Sequence, residues 1–135
     1  MIINIDKPTG WSSFDVVKKI KNITKHKKVG HGGTLDPFAS GVLIIGTESD
    51  TKKLTSITNS DKAYEAKLEL GKTTNTLDTE GDIIYSKEIP ELDCTKIKLI
   101  LNKFLGNHKQ KPPMYSAKKH KGVRLYKLAR KNIEV

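Results

Sequence analysis

Three glycines and a proline fall in the eight residues from Gly30 to Pro37, directly upstream of the apolar run Val42-Leu43-Ile44-Ile45. That density of conformational exceptions excludes regular structure there and predicts a loop feeding a buried strand. Glycine lets backbone approach a ligand closely and leaves N–H groups open to an anion, which makes Gly32 and Gly33 candidate binding positions. The loop is not a P-loop, because no Gly-Lys-Ser/Thr follows. Asp36 stands between Leu35 and Pro37. Pro37 has no N–H, so the next residue cannot cap the carboxylate. A carboxylate held there, beside His31 and a flexible backbone, can serve as nucleophile or base. The same Asp-Pro step is also ordinary turn chemistry.

The elements around this loop follow from local patterns. Ile2 to Ile5 reads as a short strand, and Asp6-Lys7-Pro8-Thr9-Gly10 as a turn. Ser12 with Asp15 matches a capping box, and Val16, Val17, Ile20 and Ile23 follow at helical spacing, which predicts a helix from about Ser13 to Thr24. Thr51 to Ile57 reads as a short helix. Tyr64, Ala66, Leu68 and Leu70 alternate with Glu65, Lys67 and Glu69, the pattern of a strand with one wet face. Gly71 to Asp82 is a polar loop leading to a strand at Ile83–Tyr85. Ile97, Ile100, Leu101, Phe104 and Leu105 form one helical stripe closed by Gly106. Lys111 to Tyr115 is extended by its prolines. Leu125, Leu128 and Ala129 predict a last helix with Asn132 as its left-handed cap, and Ile133-Glu134-Val135 reads like the start of a strand. Half-exposed strands interleaved with helices favour an α+β fold, a mixed or antiparallel sheet flanked by helices, over a doubly wound parallel sheet. The length suits one domain over residues 1–135.

Charge narrows the partners. The net formal charge is +10. Six lysines between Lys18 and Lys28 include no acid among them, and Lys103 to Lys131 carries ten basic residues and no acid. Between these blocks, Glu69 to Asp93 holds seven acids. One lysine run is a solvated face; two acid-free blocks around an acidic one point to a polyanion. Only Arg124 and Arg130 are arginines, so the surplus suits holding phosphates more than reading base edges. No apolar run approaches the roughly 18 residues that span a bilayer, and the first residues match neither a secretory nor an Arg-rich import signal. His26, His31, His108 and His120 sit at no metal-ligand spacing. The single cysteine, Cys94, suits a reducing compartment. The expected location is the cytoplasm, with nucleus or mitochondrion as the eukaryotic alternatives.

From Val29 through Leu43 the chain resembles the catalytic motif of the tRNA pseudouridine-55 synthases, the TruB branch of the pseudouridine synthase superfamily. Three more stretches agree in order. Asp6-Lys7-Pro8-Thr9-Gly10-Trp11-Ser12-Ser13 resembles the family's N-terminal motif, and Lys62-Ala63-Tyr64-Glu65-Ala66 the strand bearing its active-site tyrosine. Pro112-Pro113-Met114-Tyr115-Ser116-Ala117, with Gly122, Leu125, Tyr126, Ala129 and Arg130, resembles the segment that ends its first half.

The resemblance implies the pseudouridine synthase α+β fold and isomerisation of uridine to pseudouridine in the T-loop of tRNA, with the target base flipped out of its stack. It makes Asp36 the catalytic aspartate. Tyr64 would stack on the flipped base, although its pattern alone also fits a core tyrosine. His31 would contact the flipping nucleotide or take its vacated place, or else be a satisfied loop histidine. Lys7 and Pro8 would shape the floor of the site. No cofactor and no metal are implied. The partner is the T-arm stem-loop of tRNA, bound by a monomer. The family's downstream Gly-Thr-Tyr-Ile-Arg-type motif and its C-terminal RNA-binding domain have no counterpart in the sequence, and Arg124 and Arg130 match a different segment. The expectation is therefore the N-terminal portion of a catalytic domain, incomplete at its C-terminus and impaired alone. Two other functions stay open: a non-catalytic tRNA-binding or folding module, and a guide-RNA-dependent synthase acting on ribosomal RNA.

Overall fold

The computed structural model describes residues 1–116 and 118–135. Ala117, the last residue of the Pro112 motif, lies outside them. The chain divides into two compact units, Met1–Ala66 and Lys67–Val135.

The first unit is a three-stranded antiparallel sheet with helices packed on it. Strand β1 (Ile2–Lys7) and strand β2 (Val29–His31) flank a central β3 (Gly41–Thr47), in the order β1-β3-β2. Helix α1 (Ser13–Thr24) has the predicted limits. The Ser12 hydroxyl accepts from the Asp15 amide at 3.2 Å, and the Ser12 amide donates to the Asp15 carboxylate at 3.0 Å. These two bonds satisfy groups that a helix start otherwise leaves orphaned. The Ser12 hydroxyl, donating to the Asp15 carboxylate at 2.6 Å, and the Ser12 amide hold that carboxyl below the usual carboxylate range. Val16 and Val17 of α1 meet Leu43 and Ile45 of β3 in the core, with Ile5, Ile20, Val29 and Leu35 around them. Ile23, at the same helical spacing, is exposed.

The opposite face of β3 is covered by the segment that follows it. A 3-10 turn (Glu48–Lys53) leads into the short helix α2 (Leu54–Thr58). Its Leu54 lies over a floor of glycine. A Cβ on Gly46 would meet the Leu54 side chain at 3.1 Å and the Asp50 carbonyl at 3.2 Å, and one on Gly30 or Gly32 would meet Leu54 at 3.3 Å. Gly30 and Gly46 are register partners across β2 and β3.

Three expectations change here. Gly30 and His31 are not loop: they belong to β2, because Gly30 is absent a side chain for close packing rather than for an unusual backbone angle. Asp6 and Lys7 are the end of β1, and the turn starts at Pro8, which cannot donate to the ladder. The run from Tyr64 to Leu70 forms no strand, and all its side chains are exposed. Alternating polarity makes a strand only where a partner completes the ladder, and among the described residues none does.

In the second unit, β3's successors are short. Strands β4 (Lys72–Thr74) and β5 (Ile83–Ser86) form a hairpin, so part of the expected Gly71–Asp82 loop is strand. Helix α3 (Cys94–Asn102) is capped by the Asp93 carboxylate on the Lys96 amide at 2.7 Å. It ends before Gly106, because the amides of Lys103, Phe104 and Leu105 bond three residues back and tighten the last turn. A hairpin of β6 (Lys119–His120) and β7 (Val123–Arg124) leads into α4 (Leu125–Ala129), and Asn132 is left-handed as expected. Ile133–Val135 joins no sheet. Among the described residues every strand pair is antiparallel, in keeping with the expected mixed or antiparallel sheet.

The glycine floor makes a measurable demand. Gly46→Ala is expected to lower stability by about 1–3 kcal/mol in urea unfolding, the cost of overpacking. Combining it with Leu54→Ala is expected to cost less than the sum, since the truncated side chain leaves room for the new methyl. Strict additivity would contradict the contact.

Candidate active site

The loop after β2 is braced from both ends. On its upstream side, the buried Ser13 hydroxyl accepts from the Leu35 amide at 3.0 Å and donates to the Leu35 carbonyl at 3.1 Å. One side chain of α1 thus occupies both backbone groups of the residue before Asp36. On the downstream side, the Gly10 amide donates to the Pro37 carbonyl at 2.7 Å. Gly10 reaches it with φ of +79°, a left-handed turn that favours glycine.

Lys7 joins the two turns. Its side chain is fully buried at the end of β1. The ammonium donates to the carbonyls of Pro8 at 2.9 Å, Trp11 at 2.7 Å and Pro37 at 3.4 Å. Three donors meet three acceptors, which is the condition for keeping such a group inside. Lys7 therefore lies between the two turns with its donors directed to the chain itself.

Asp36 sits between these anchors with its side chain exposed. Its backbone carbonyl accepts from Ala39 at 3.1 Å, which turns the chain toward β3. Among the described residues, no hydrogen bond or ion pair engages its carboxylate. A fixed backbone carrying a free carboxylate is suited to meet an external electrophile or proton.

The other expected residues are distributed around this centre. His31 is half-buried at the end of β2, and its Nδ1 pairs with the carbonyl of Gly33 in the loop that follows. Gly32 gives its amide to the Ile44 carbonyl at 2.8 Å and packs under Leu54 and Ile57, so its N–H is engaged within the fold. Gly33 is different: φ is +111° and nothing lies within 4 Å of where a Cβ would stand. Tyr64 is 72% exposed in the unpaired run, and among the described residues no hydrogen bond ties it to the Asp36 loop. A shallow cleft of about 340 Å³ borders His31 but lies along β2 and α2, lined also by Lys28, Thr51, Lys52 and Thr55. Among the described residues, no cluster of three metal-ligating side chains occurs.

The sequence reading places Ser13 at a helix start and at the end of the N-terminal motif, but gives it no part in the site. The available signal was the doubled serine: Ser12 satisfies the cap, which leaves the Ser13 hydroxyl free for another partner.

Comparison with known proteins identifies what the chain is similar to. The sequence profile described as TruB family pseudouridylate synthase (N terminal domain) matches residues 21–135. A protein of Dehalococcoides mccartyi named tRNA pseudouridine synthase B is 47% identical over 99% of the chain and 45% of its own length. One of the same name from Clostridium perfringens is 48% identical over 99% of the chain and 46% of its own length. The chain thus spans about half the length of these curated relatives. A chain in the crystal structure of a Cbf5–Nop10–Gar1 complex matches 87% of this chain and 30% of itself, with 31% identity and a TM-score of 0.57.

The bracing is open to a direct test. Ser13→Ala leaves the Leu35 amide and carbonyl without their partner and is expected to lower stability by about 1–3 kcal/mol. Lys7→Met removes the donor to three carbonyls and is expected to cost more. Urea unfolding measures both, and a Lys7→Met variant as stable as the parent would contradict the account.

Proposed function

The chain belongs to the TruB pseudouridylate synthase family, and on that premise we propose that it serves the isomerisation of uridine to pseudouridine in the T-loop of tRNA, at position 55, with Asp36 as the catalytic group. The observation that carries the assignment of Asp36 is its free carboxylate on a backbone pinned at Leu35 and Pro37. The names of the curated relatives favour tRNA as the substrate over ribosomal RNA.

The reaction cleaves the N1–C1′ bond, turns the base, and joins C5 to C1′; a proton leaves C5 and N1 gains one. Nothing is oxidised and no group is transferred out, so the protein's task is access and placement. The uridine must leave its stack, at a cost of a few kcal/mol, recovered through contacts to the everted nucleotide. In this reading Asp36 meets that nucleoside, Tyr64 stacks on its base, and His31 contacts the displaced nucleotide or fills its place. Lys18 to Lys28 hold phosphates, and binding weakens with salt accordingly.

A second reading, RNA binding without turnover, is favoured by one observation: among the described residues no cation stands against the Asp36 carboxylate. Nucleoside analysis of a T-arm stem-loop incubated with the chain separates the two. With turnover in the parent, Asp36→Asn is expected to abolish pseudouridine while changing RNA affinity by less than about tenfold, or about 1.4 kcal/mol. Modification that persists in Asp36→Asn removes Asp36 from the chemistry. Binding without pseudouridine in the parent supports the second reading.

A further inference from the structure

The first unit leaves three aromatic side chains open to water around the Asp36 loop. Trp11 is 40% exposed, Phe38 41% and Phe14 60%, and none of them belongs to the core cluster. Trp11 and Phe38 are distant in sequence but share one anchor. The Lys7 ammonium holds the Trp11 carbonyl and the Pro37 carbonyl together, and Gly10, just before Trp11, closes on Pro37, just before Phe38. The backbone that fixes Asp36 therefore fixes the origins of two exposed rings beside it.

The helix that carries Phe14 adds a block of positive charge. Helix α1 begins two residues after Trp11 and, past Asp15, carries Lys18, Lys19 and Lys21 with no acid. The Lys18 ammonium lies 4.9 Å from the centre of the Phe14 ring. Open aromatic faces beside ammonium groups are what unpaired RNA requires, rings for its bases and cations for its phosphates. A duplex hides its base faces and offers only the phosphates.

Resting on the reading of this chain as an RNA-modifying unit, we propose that Trp11 and Phe38 form a stacking platform for unpaired bases neighbouring the nucleotide presented to Asp36. The platform selects looped or single-stranded RNA over duplex. It accepts any base, because every base has a face to stack.

Trp11 is the single tryptophan, so its emission reports on the platform directly. A stem-loop RNA with a uridine-containing loop is expected to quench that emission on binding, and a blunt duplex of the same stem is expected to leave it nearly unchanged. Trp11→Ala and Phe38→Ala are each expected to weaken stem-loop binding about tenfold, the loss of one base stack, with an unaltered salt slope. Trp11→Phe keeps a ring and is expected to retain most of the affinity. Quenching in the unaltered chain does not depend on how the variants fold. Stem-loop binding with unchanged emission, or equal quenching by the duplex, overturns the platform and leaves the RNA reading standing. Failure of the chain to bind either RNA overturns both.

Discussion

A buried ammonium group with three carbonyls around it is the interaction on which the rest of this site depends. Lys7 ends a strand whose inward positions are otherwise isoleucine. Its charge is tolerable inside only because each N–H finds an acceptor. Those acceptors belong to two turns that have no regular ladder between them. The same bonds that keep the lysine inside therefore make the turns one piece. With the Ser13 hydroxyl closing on Leu35, an exposed loop acquires the fixity of the core below it. A carboxylate on such a loop reaches a substrate already oriented, and little ordering remains to be done at binding.

The glycines of the same segment divide into two kinds. Gly30 and Gly32, together with Gly46 on β3, are a flat bed for Leu54 and Ile57. Their role is to let α2 approach the sheet closely. Gly33, unlike Gly30 and Gly32, combines a positive φ with open surroundings. A glycine-rich loop that reads as a ligand cradle is thus largely a packing device, which ties the far face of the sheet to the strand that delivers Asp36.

Much of the first unit is legible in the sequence because its signals are local. Ser12 and Asp15 satisfy each other across one helical turn, so α1 has the limits that its capping box predicts. Of the apolar run Val42 to Ile45, Leu43 and Ile45 lie in the core as the run predicts, whereas Val42 faces water because alternate residues of a strand point to opposite faces. Asp36 stands out by its motif. What escapes are features settled by partners far along the chain. Gly30 and His31 become strand because β3 lies alongside, and Ser13 becomes part of the site because Leu35 is folded against it. The Tyr64 run shows the converse: its period-two pattern describes a strand's side chains but carries no information about a neighbour. The stripe on α3 is equally clear in sequence, and its apolar residues are exposed.

Hydrogen exchange at single amides tests the central claim most directly, because two N–H groups of the brace lie outside any helix or strand. The Gly10 and Leu35 amides bond to Pro37 and Ser13. Bracing by Lys7 and Ser13 is expected to slow both amides to rates near those of Ile45 in β3, and Lys7→Met is expected to release them selectively. Exchange of both at the rate of exposed loop amides in the unaltered chain would contradict the account.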